Sequence, residues 1–504
     1  MRIAIIGAGV SGIGTAIILQ KAGHAVTIFD KAPQIGGVWA QAYSEVRLQN
    51  IDQQYHFSDF PWPQTPDLHP TAKQIMEYLS AAAIHFELDI RLNHYIESLE
   101  ETDDGWNVNL ILAEGKTQFH ADFVISSIGQ YSGGKNRPKF DGESEFTGTI
   151  ITERDIQDLT DFQDKKVAVV GFGKSALDMA TLTALEGAQV EHIFRTPRWT
   201  VPLKILGVHY SYPLFSRMGS VMMPAWAYPS KAEAFLHRKL AFLVKGFWFM
   251  LSRLFTILIK SKGWFKGKEV QERLNSIIPK HPMLHDLRSA TALQPPAFCR
   301  LIAEGIITPN HAELEGFTSN GVVLSNGKTI EADTVILSLG SNSPIFPFMP
   351  ATYREILEKE EDGVQLYRHM IHPDIPNFAF AGYNHGFLHI PAVEVGTVWL
   401  LALLDGELSL PPVEEMRETI HYVREWKRQH IQFEPSRSCA INTRYQQYLD
   451  IMLKELRLSP YRKSNPIAEL FGRYGAGDYQ GVLEEYLASR EQEEQVYEPV
   501  LAMT

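Results

Sequence analysis

The chain has 504 residues, enough for two to four domains at roughly 150 residues each, which excludes a single small module. Its 45% hydrophobic and 21% charged residues match a soluble globular protein and not a disordered one. A net charge of −12, from 47 Lys+Arg against 59 Asp+Glu, withholds the basic field that nucleic acid requires, so nucleic acid is not an expected partner.

The N-terminus enters an apolar strand pattern at Ile3 with no basic or cleavage-site signature before it, so no targeting signal and a cytoplasmic setting are expected. Residues 3–30 read as a β-α-β unit: an apolar strand, Gly7-x-Gly9-x-x-Gly12, a helix opening at Val10 and Ser11, and a second strand ending in Asp30-Lys31. Each glycine has a task. Gly7 makes the tight turn, Gly9 lets backbone approach a pyrophosphate, and Gly12 lets helix and strand pack closely. The helix N-terminus supplies N–H groups and a positive dipole end to the phosphates, and Asp30 stands where a ribose 2′-OH would donate.

A second copy begins at Lys166 and continues Gly171-Phe-Gly173-Lys174-Ser175-Ala176-Leu-Asp178, with its next strand ending in Arg195. Here the acid has become a base. A guanidinium pairs bidentately with a 2′-phosphate, so the first unit suits the adenosine of FAD and the second suits NADPH. The stretches 120–129 and 331–340 also echo each other and end in Gly129 and Gly340, as closing strands that bring a glycine close to each cofactor. The expected fold is α/β, with two Rossmann-like three-layer domains, the second inserted into the first, and a helical C-terminal extension. The expected segments are 1–160 (first part of the FAD domain), 161–340 (NADPH domain, with an apolar helical insertion about 205–290), 341–412 (return segment) and 413–504 (solvated helical extension).

Within the insertion, 242–259 is intensely apolar apart from a stripe containing Lys245, Ser252, Arg253 and Thr256, continued by Lys260. It reads first as a helix buried in the protein or lining an apolar channel, and second as a helix on a membrane surface with snorkelling bases. The pairs His281/His285 and His385/His389 have helical spacing, but prolines beside the first and Gly386 in the second favour turn or packing roles. No metal is expected. Cys299 and Cys439 are the only cysteines and form no C-x-x-C, which closes the flavin disulfide reductase route and leaves dioxygen or an organic acceptor for the electrons.

These motifs, with Gly36-Gly37-Val38-Trp39, Phe57-Ser-Asp-Phe-Pro-Trp-Pro63, Arg195-Thr-Pro-Arg-Trp199 and Asn377-Phe-Ala-Phe-Ala-Gly382, make the chain similar to the flavin-containing monooxygenases, and its tail resembles their plant-type branch. The resemblance covers most of the chain. It implies that Gly37, Val38, Trp39 and Gly382 contact FAD. It also implies that NADPH reduces the flavin, that O₂ adds at flavin C4a to give a (hydro)peroxide, and that nitrogen or sulfur of a small, lipophilic substrate takes up oxygen. A polar residue before the Phe57 segment approaches the flavin in that family, and counting back from Phe57 reaches Gln49 and Asn50. The family's F-x-G-x-x-x-H marker here reads Phe146-x-Gly148-x-x-x-Thr152, without the histidine. Baeyer-Villiger or other carbon or halide oxygenation, and nucleotide binding without turnover, therefore stand as alternatives. Oligomeric state is not legible.

Overall fold

The structure, a computed structural model, describes residues 1–43, 45–223, 227–287, 292–384, 386–430, 441 and 444–496. Two five-stranded parallel sheets organise it. In the first, Arg2–Ile6 lies between Ala25–Phe29 and Phe123–Ser126, with Asp89–Arg91 and Phe378–Phe380 outermost. In the second, Lys166–Val170 lies between Gln189–Phe194 and Thr334–Leu337, with Ile307–His311 and Thr149–Ile151 outermost.

Strand alternation builds three layers from each sheet. Ile3 and Ile5 join the helical core on one face, while Ala4 and Ile6 pack on the other against the antiparallel strands Tyr95–Thr102, Gly105–Leu112 and Gly115–Ala121. Val167 and Val169 face helices in the same way, and Ala168 and Val170 face the strands Leu314–Thr318, Gly321–Leu324 and Thr329–Glu331. An acid at each junction ties the layers together. Asp122 Oδ2 accepts from Arg2 N (2.6 Å) and Asp333 Oδ2 from Lys166 N (2.8 Å).

The first sheet takes strands from 2–126 and 378–380 and the second from 149–337, so one is inserted into the other. Strand Thr149–Ile151 belongs to the second sheet, which puts the crossing before residue 149 and not near 160. A three-residue strand has no local signature that sequence periodicity could register.

Two further expectations need correction. The C-terminal part is helical but not uniformly solvated: Tyr445, Tyr448, Leu449, Met452 and Leu453 of helix Tyr445–Glu455 are buried in the first core, and Trp399 Nε1 donates to Glu455 Oε2 (2.8 Å). Spacings of three and four put those apolar side chains on one face. The helix Ala241–Ser261 is neither buried in the core nor a wall of the cavity described below. Only Val244, Trp248, Phe255 and Ile259 on one face are buried, and large apolar side chains on the opposite face are exposed.

Candidate active site

At the carboxyl ends of the first sheet's strands the chain encloses a cavity of about 720 Å³, within the roughly 300–1,000 Å³ usual for small-molecule and cofactor sites. Gly7 has φ +111° and its missing Cβ would lie 2.6 Å from Ser127 O, so only glycine fits the turn. A Cβ on Gly12 would lie 2.0 Å from Gly7 O, which lets the helix Val10–Lys21 sit directly on that turn. Gly9 differs. It is the extended N-cap of this helix, and a Cβ there would meet only Gly37 Cα at 3.8 Å. The space before Gly9 and Gly37 is open, and the helix N-terminus with its dipole favours an anion there.

Gly7, Gly9, Val10, Ser11, Asp30, Lys31, Gly37, Val38, Trp39, Gly129 and Gly382 all line this cavity. Asp30 is fixed by Ala8 N (2.7 Å) on one carboxylate oxygen and Ala32 N (2.8 Å) on the other. Trp39 Nε1 donates to the Tyr55 hydroxyl (2.7 Å). Ser127 Oγ is buried at the cavity with no hydrogen-bond partner among the described residues. An open diphosphate-sized gap at a helix N-terminus, a fixed acid and an orphaned hydroxyl fit the dinucleotide end of FAD.

Gln49 and Asn50 line the same cavity, in a loop clamped from several elements. Gln49 Oε1 accepts from Leu293 N (2.9 Å), the Tyr210 hydroxyl donates to Gln49 O, and Asn50 Nδ2 donates to Phe387 O. His69 Nδ1 donates to Leu48 O (3.0 Å) and Asn50 O (2.9 Å), so its Nε2 accepts from His209 Nε2, 3.3 Å away. Burial lowers the pKa of both histidines, and for His209 the neighbouring His69 lowers it further.

Val201, Tyr210, Leu214, Phe215 and Leu293 from the inserted region, with Phe387, make an apolar part of the wall. Asp30 is the one carboxylate, and no cysteine occurs, among the described lining residues. The helix His389–Leu404 begins at the cavity. His389 Nε2 lies 3.0 Å from Ser11 Oγ, and burial pushes its pKa down to about 4, so it is neutral near pH 7. A Cβ on Gly382 would lie 2.4 Å from the same Ser11 Oγ. His385, the other member of that pair, lies outside the described residues.

The second crevice repeats the backbone. Gly171 has φ +126° with a missing Cβ 2.4 Å from Ser338 O, and Gly173 is the extended N-cap of helix Lys174–Leu185 with nothing near its Cβ position. Ala176, buried, replaces the third glycine. Lys174 and Asp178 pair with each other, and the Tyr43 hydroxyl of the first domain donates to Asp178 (2.5 Å), so both charges are committed across the domain junction. Ser175 is half-buried at the helix start, and Gly340, three residues past strand Thr334–Leu337, has φ +86°. Arg195 is 78% exposed at its side chain, with Glu313 3.9 Å away. Of the second motif only Lys174 reaches the enclosed cavity.

Thr152, at the marker position, is buried, and its hydroxyl donates to Asp155 Oδ2 (2.8 Å) in a short turn. His281, His285 and Asp286 bring potential ligand atoms within 4.8 Å. Asp286 Oδ2 already accepts from Trp199 N (2.7 Å) and His281 Nε2 (2.7 Å), which pins the Arg195–Trp199 segment. Sequence reasoning missed Ser127, His69, His209, Tyr210 and Phe387, and gave His389 only a turn or packing role. The polar step Ser126-Ser127 between an apolar strand and Gly129 is a signal that could have found Ser127.

Residues 4–208 match the family described as pyridine nucleotide-disulphide oxidoreductase, and residues 241–464 match that described as flavin-binding monooxygenase-like. The disulphide part of the first description has no counterpart at this cavity; Cys299 is buried elsewhere, with its thiol pushed up to about 12 by burial. The chain is 31% identical over 527 residues to a probable flavin-containing monooxygenase 1 of Arabidopsis thaliana, covering 95% of this chain and 96% of that one. It is 27% identical over 470 residues, 91% of this chain and 84% of that one, to a 4-hydroxybenzoate brominase (decarboxylating) of Marinomonas mediterranea. Among solved structures, an oxidised steroid monooxygenase bound to NADP shares the fold with a TM-score of 0.64 at 17% identity, covering 97% of this chain and 98% of that one.

Proposed function

Because this chain belongs to the flavin-containing monooxygenase family and is thereby an FAD- and NADPH-dependent monooxygenase, we propose that it oxygenates nitrogen or sulfur of a small lipophilic molecule. When bound, FAD supplies hydride acceptance from NADPH and activation of O₂. The chain's own residues bind, orient and exclude water. Gly9, Gly37 and the N-terminus of helix Val10–Lys21 leave room and positive potential for a diphosphate, and Asp30 is held ready to accept from a ribose hydroxyl. Arg195, on the second crevice, is exposed with only the distant Glu313 beside it among the described residues and can turn to pair a 2′-phosphate. Gln49 and Asn50 are fixed by Leu293, Tyr210, His69 and Phe387, so their polar groups are placed before any ligand arrives.

The observation that carries the substrate class is the apolar wall of Val201, Tyr210, Leu214, Phe215, Leu293 and Phe387, with no carboxylate except the engaged Asp30 among the described lining residues. Such a wall accepts a neutral amine or thioether and offers no counter-ion to a charged one. The test is product mass spectrometry and NADPH consumption with a panel of lipophilic amines, thioethers, ketones and phenols with bromide. N- or S-oxides formed in step with NADPH oxidation support the reading. The likeness to a brominase favours a second one, and brominated phenols or esters from ketones as the coupled products would replace the first.

A further inference from the structure

We infer that the protein docks on an anionic membrane surface through the outer face of the helix Ala241–Ser261, a reading that stands whichever atom the enzyme oxygenates. This 21-residue helix is long and apolar enough to cross a membrane, yet it lies along the protein. Val244, Trp248 and Phe255 pack with Trp199, Met223 and Met283, Ile259 joins the core of the second sheet with Leu274 and Ile277, and Trp248 Nε1 donates to Met222 O (2.7 Å). At 100° per residue those four positions fall within about 60° of one another. The opposite side carries Phe242, Leu243, Phe249, Met250 and Ile257, with Phe247 on its flank, each between 40% and 66% exposed. Six large exposed apolar side chains on one helix exceed the scattered surface hydrophobics of an ordinary monomer.

The charge around that face selects its occupant. Residues 231–268 contain nine Lys and Arg (Lys231, Arg238, Lys239, Lys245, Arg253, Lys260, Lys262, Lys266, Lys268) and one acid, Glu233, a balance of +8 within a chain of net −12. Glu233 is buried and paired with Arg444, so it does not offset the exposed bases. All nine bases except Lys260, which is half-buried, are exposed, and they lie at both ends of the helix and along it. Arg253 folds its guanidinium over the Phe249 ring at 5.0 Å, an arrangement that buries the stem and keeps the charge at an interface. Just past the helix, Trp264 and Phe265 are exposed, Phe265 completely. An apolar face ringed by bases with aromatic residues at its end is the pattern of a helix lying in the headgroup plane, where anionic lipid pairs with the bases. The inner face belongs to a core cluster against which Val201 and Leu214, two lining residues of the active-site cavity, also pack.

Sedimentation of the full chain, loaded with FAD, tests this with vesicles of phosphatidylcholine alone and of phosphatidylcholine with phosphatidylglycerol. Binding is expected to the anionic vesicles and to weaken with salt. Phe249→Glu with Met250→Glu should abolish it. Lys262→Gln with Lys266→Gln should lower partitioning about 25-fold, about fivefold for each base removed near an anionic surface. NADPH oxidation should be unchanged in both variants, since none of these residues lines the cavity. Failure to bind anionic vesicles, or equal binding to neutral ones, overturns the inference. So does a concentration-dependent dimer that the Phe249/Met250 variant abolishes without any vesicle binding, which would assign the face to a second copy of the chain.

Discussion

The two nucleotide crevices share a backbone and differ in what surrounds it. Gly7 against Ser127 O and Gly171 against Ser338 O make the same turn, and Asp122 and Asp333 tie the same junction. The first crevice is enclosed by the inserted region and the return helix, whereas the cationic residue of the second stands 78% exposed. Position 14 of the first motif is a glycine pressed against Phe57, and its counterpart Asp178 is tied to Lys174 and Tyr43. A walled site suits a cofactor that stays, and an open one suits a nucleotide that must come and go each turnover. One backbone device thus serves two residence times, and the side chains around it set the difference.

The strongest way to break this comparison is Gly9→Val. The protein itself leaves room at Gly9, its nearest would-be contact being 3.8 Å away, so the variant should fold yet fill the diphosphate space. Flavin absorbance per mole of folded protein is expected to fall more than tenfold; full yellow loading would show that the diphosphate lies elsewhere. The counterpart test of the open site is Arg195→Ala. Losing a charge-assisted contact of about 1.5–3 kcal/mol should raise the KM for NADPH roughly tenfold to a hundredfold, with NADH little changed and flavin content intact. Equal effects on both nucleotides would remove Arg195 from 2′-phosphate recognition.

What was legible in the sequence follows from how far apart the interacting residues are. The two β-α-β units, their glycines and the acid-to-base change at Asp30 and Arg195 are local patterns, and each turns up where spacing put it. The loop of Gln49 and Asn50 does reach the cavity, but its clamps come from Tyr210, Leu293 and Phe387, between 161 and 337 positions away for the hydrogen bonds from Tyr210 and to Phe387. No period in the chain encodes such pairings. The helix Ala241–Ser261 shows a different limit, because apolar residues all round a helix do not say whether its second face meets protein or lipid. In the C-terminal region the charged segment 413–430 dominated the reading and hid the apolar spacing from Tyr445 to Leu453.

A smaller effect sharpens the role of the enclosing wall. Gln49→Leu with Asn50→Leu removes the hydrogen bonds to Leu293 N and Phe387 O, each worth about 1 kcal/mol, and loosens the loop's hold on the segments of Leu293 and Phe387. The share of NADPH electrons released as hydrogen peroxide should rise severalfold as water enters, while the KM for NADPH, set at the second crevice, stays within about twofold. A raised KM with unchanged peroxide would show that this loop serves the nucleotide and not the enclosed site.

The smallest expected effect is on stability, and it compares the domains through one buried histidine in each. His389 sits 3.0 Å from Ser11 of the first motif, and His192 donates from Nε2 to Gly171 O (2.7 Å) of the second. Burial pushes both down to about 4. A histidine whose folded pKa lies below its unfolded value of about 6.5 binds fewer protons when folded, so stability is full above pH 6.5 and is lost as pH falls from there toward 4. At pH 5 each costs about 2 kcal/mol, at about 1.36 kcal/mol per pKa unit. Calorimetry between pH 7 and 5 should therefore show melting temperatures that fall for both domains. His389→Gln should flatten the fall for the first domain alone and His192→Gln for the second alone. Because Ser11 and Gly171 belong to the glycine turns, FAD should protect the first transition and NADP⁺ the second. An acid-induced fall of the same size in the doubly substituted protein would place the acid sensitivity elsewhere, and loss of both transitions together on either single substitution would show that the two domains unfold as one.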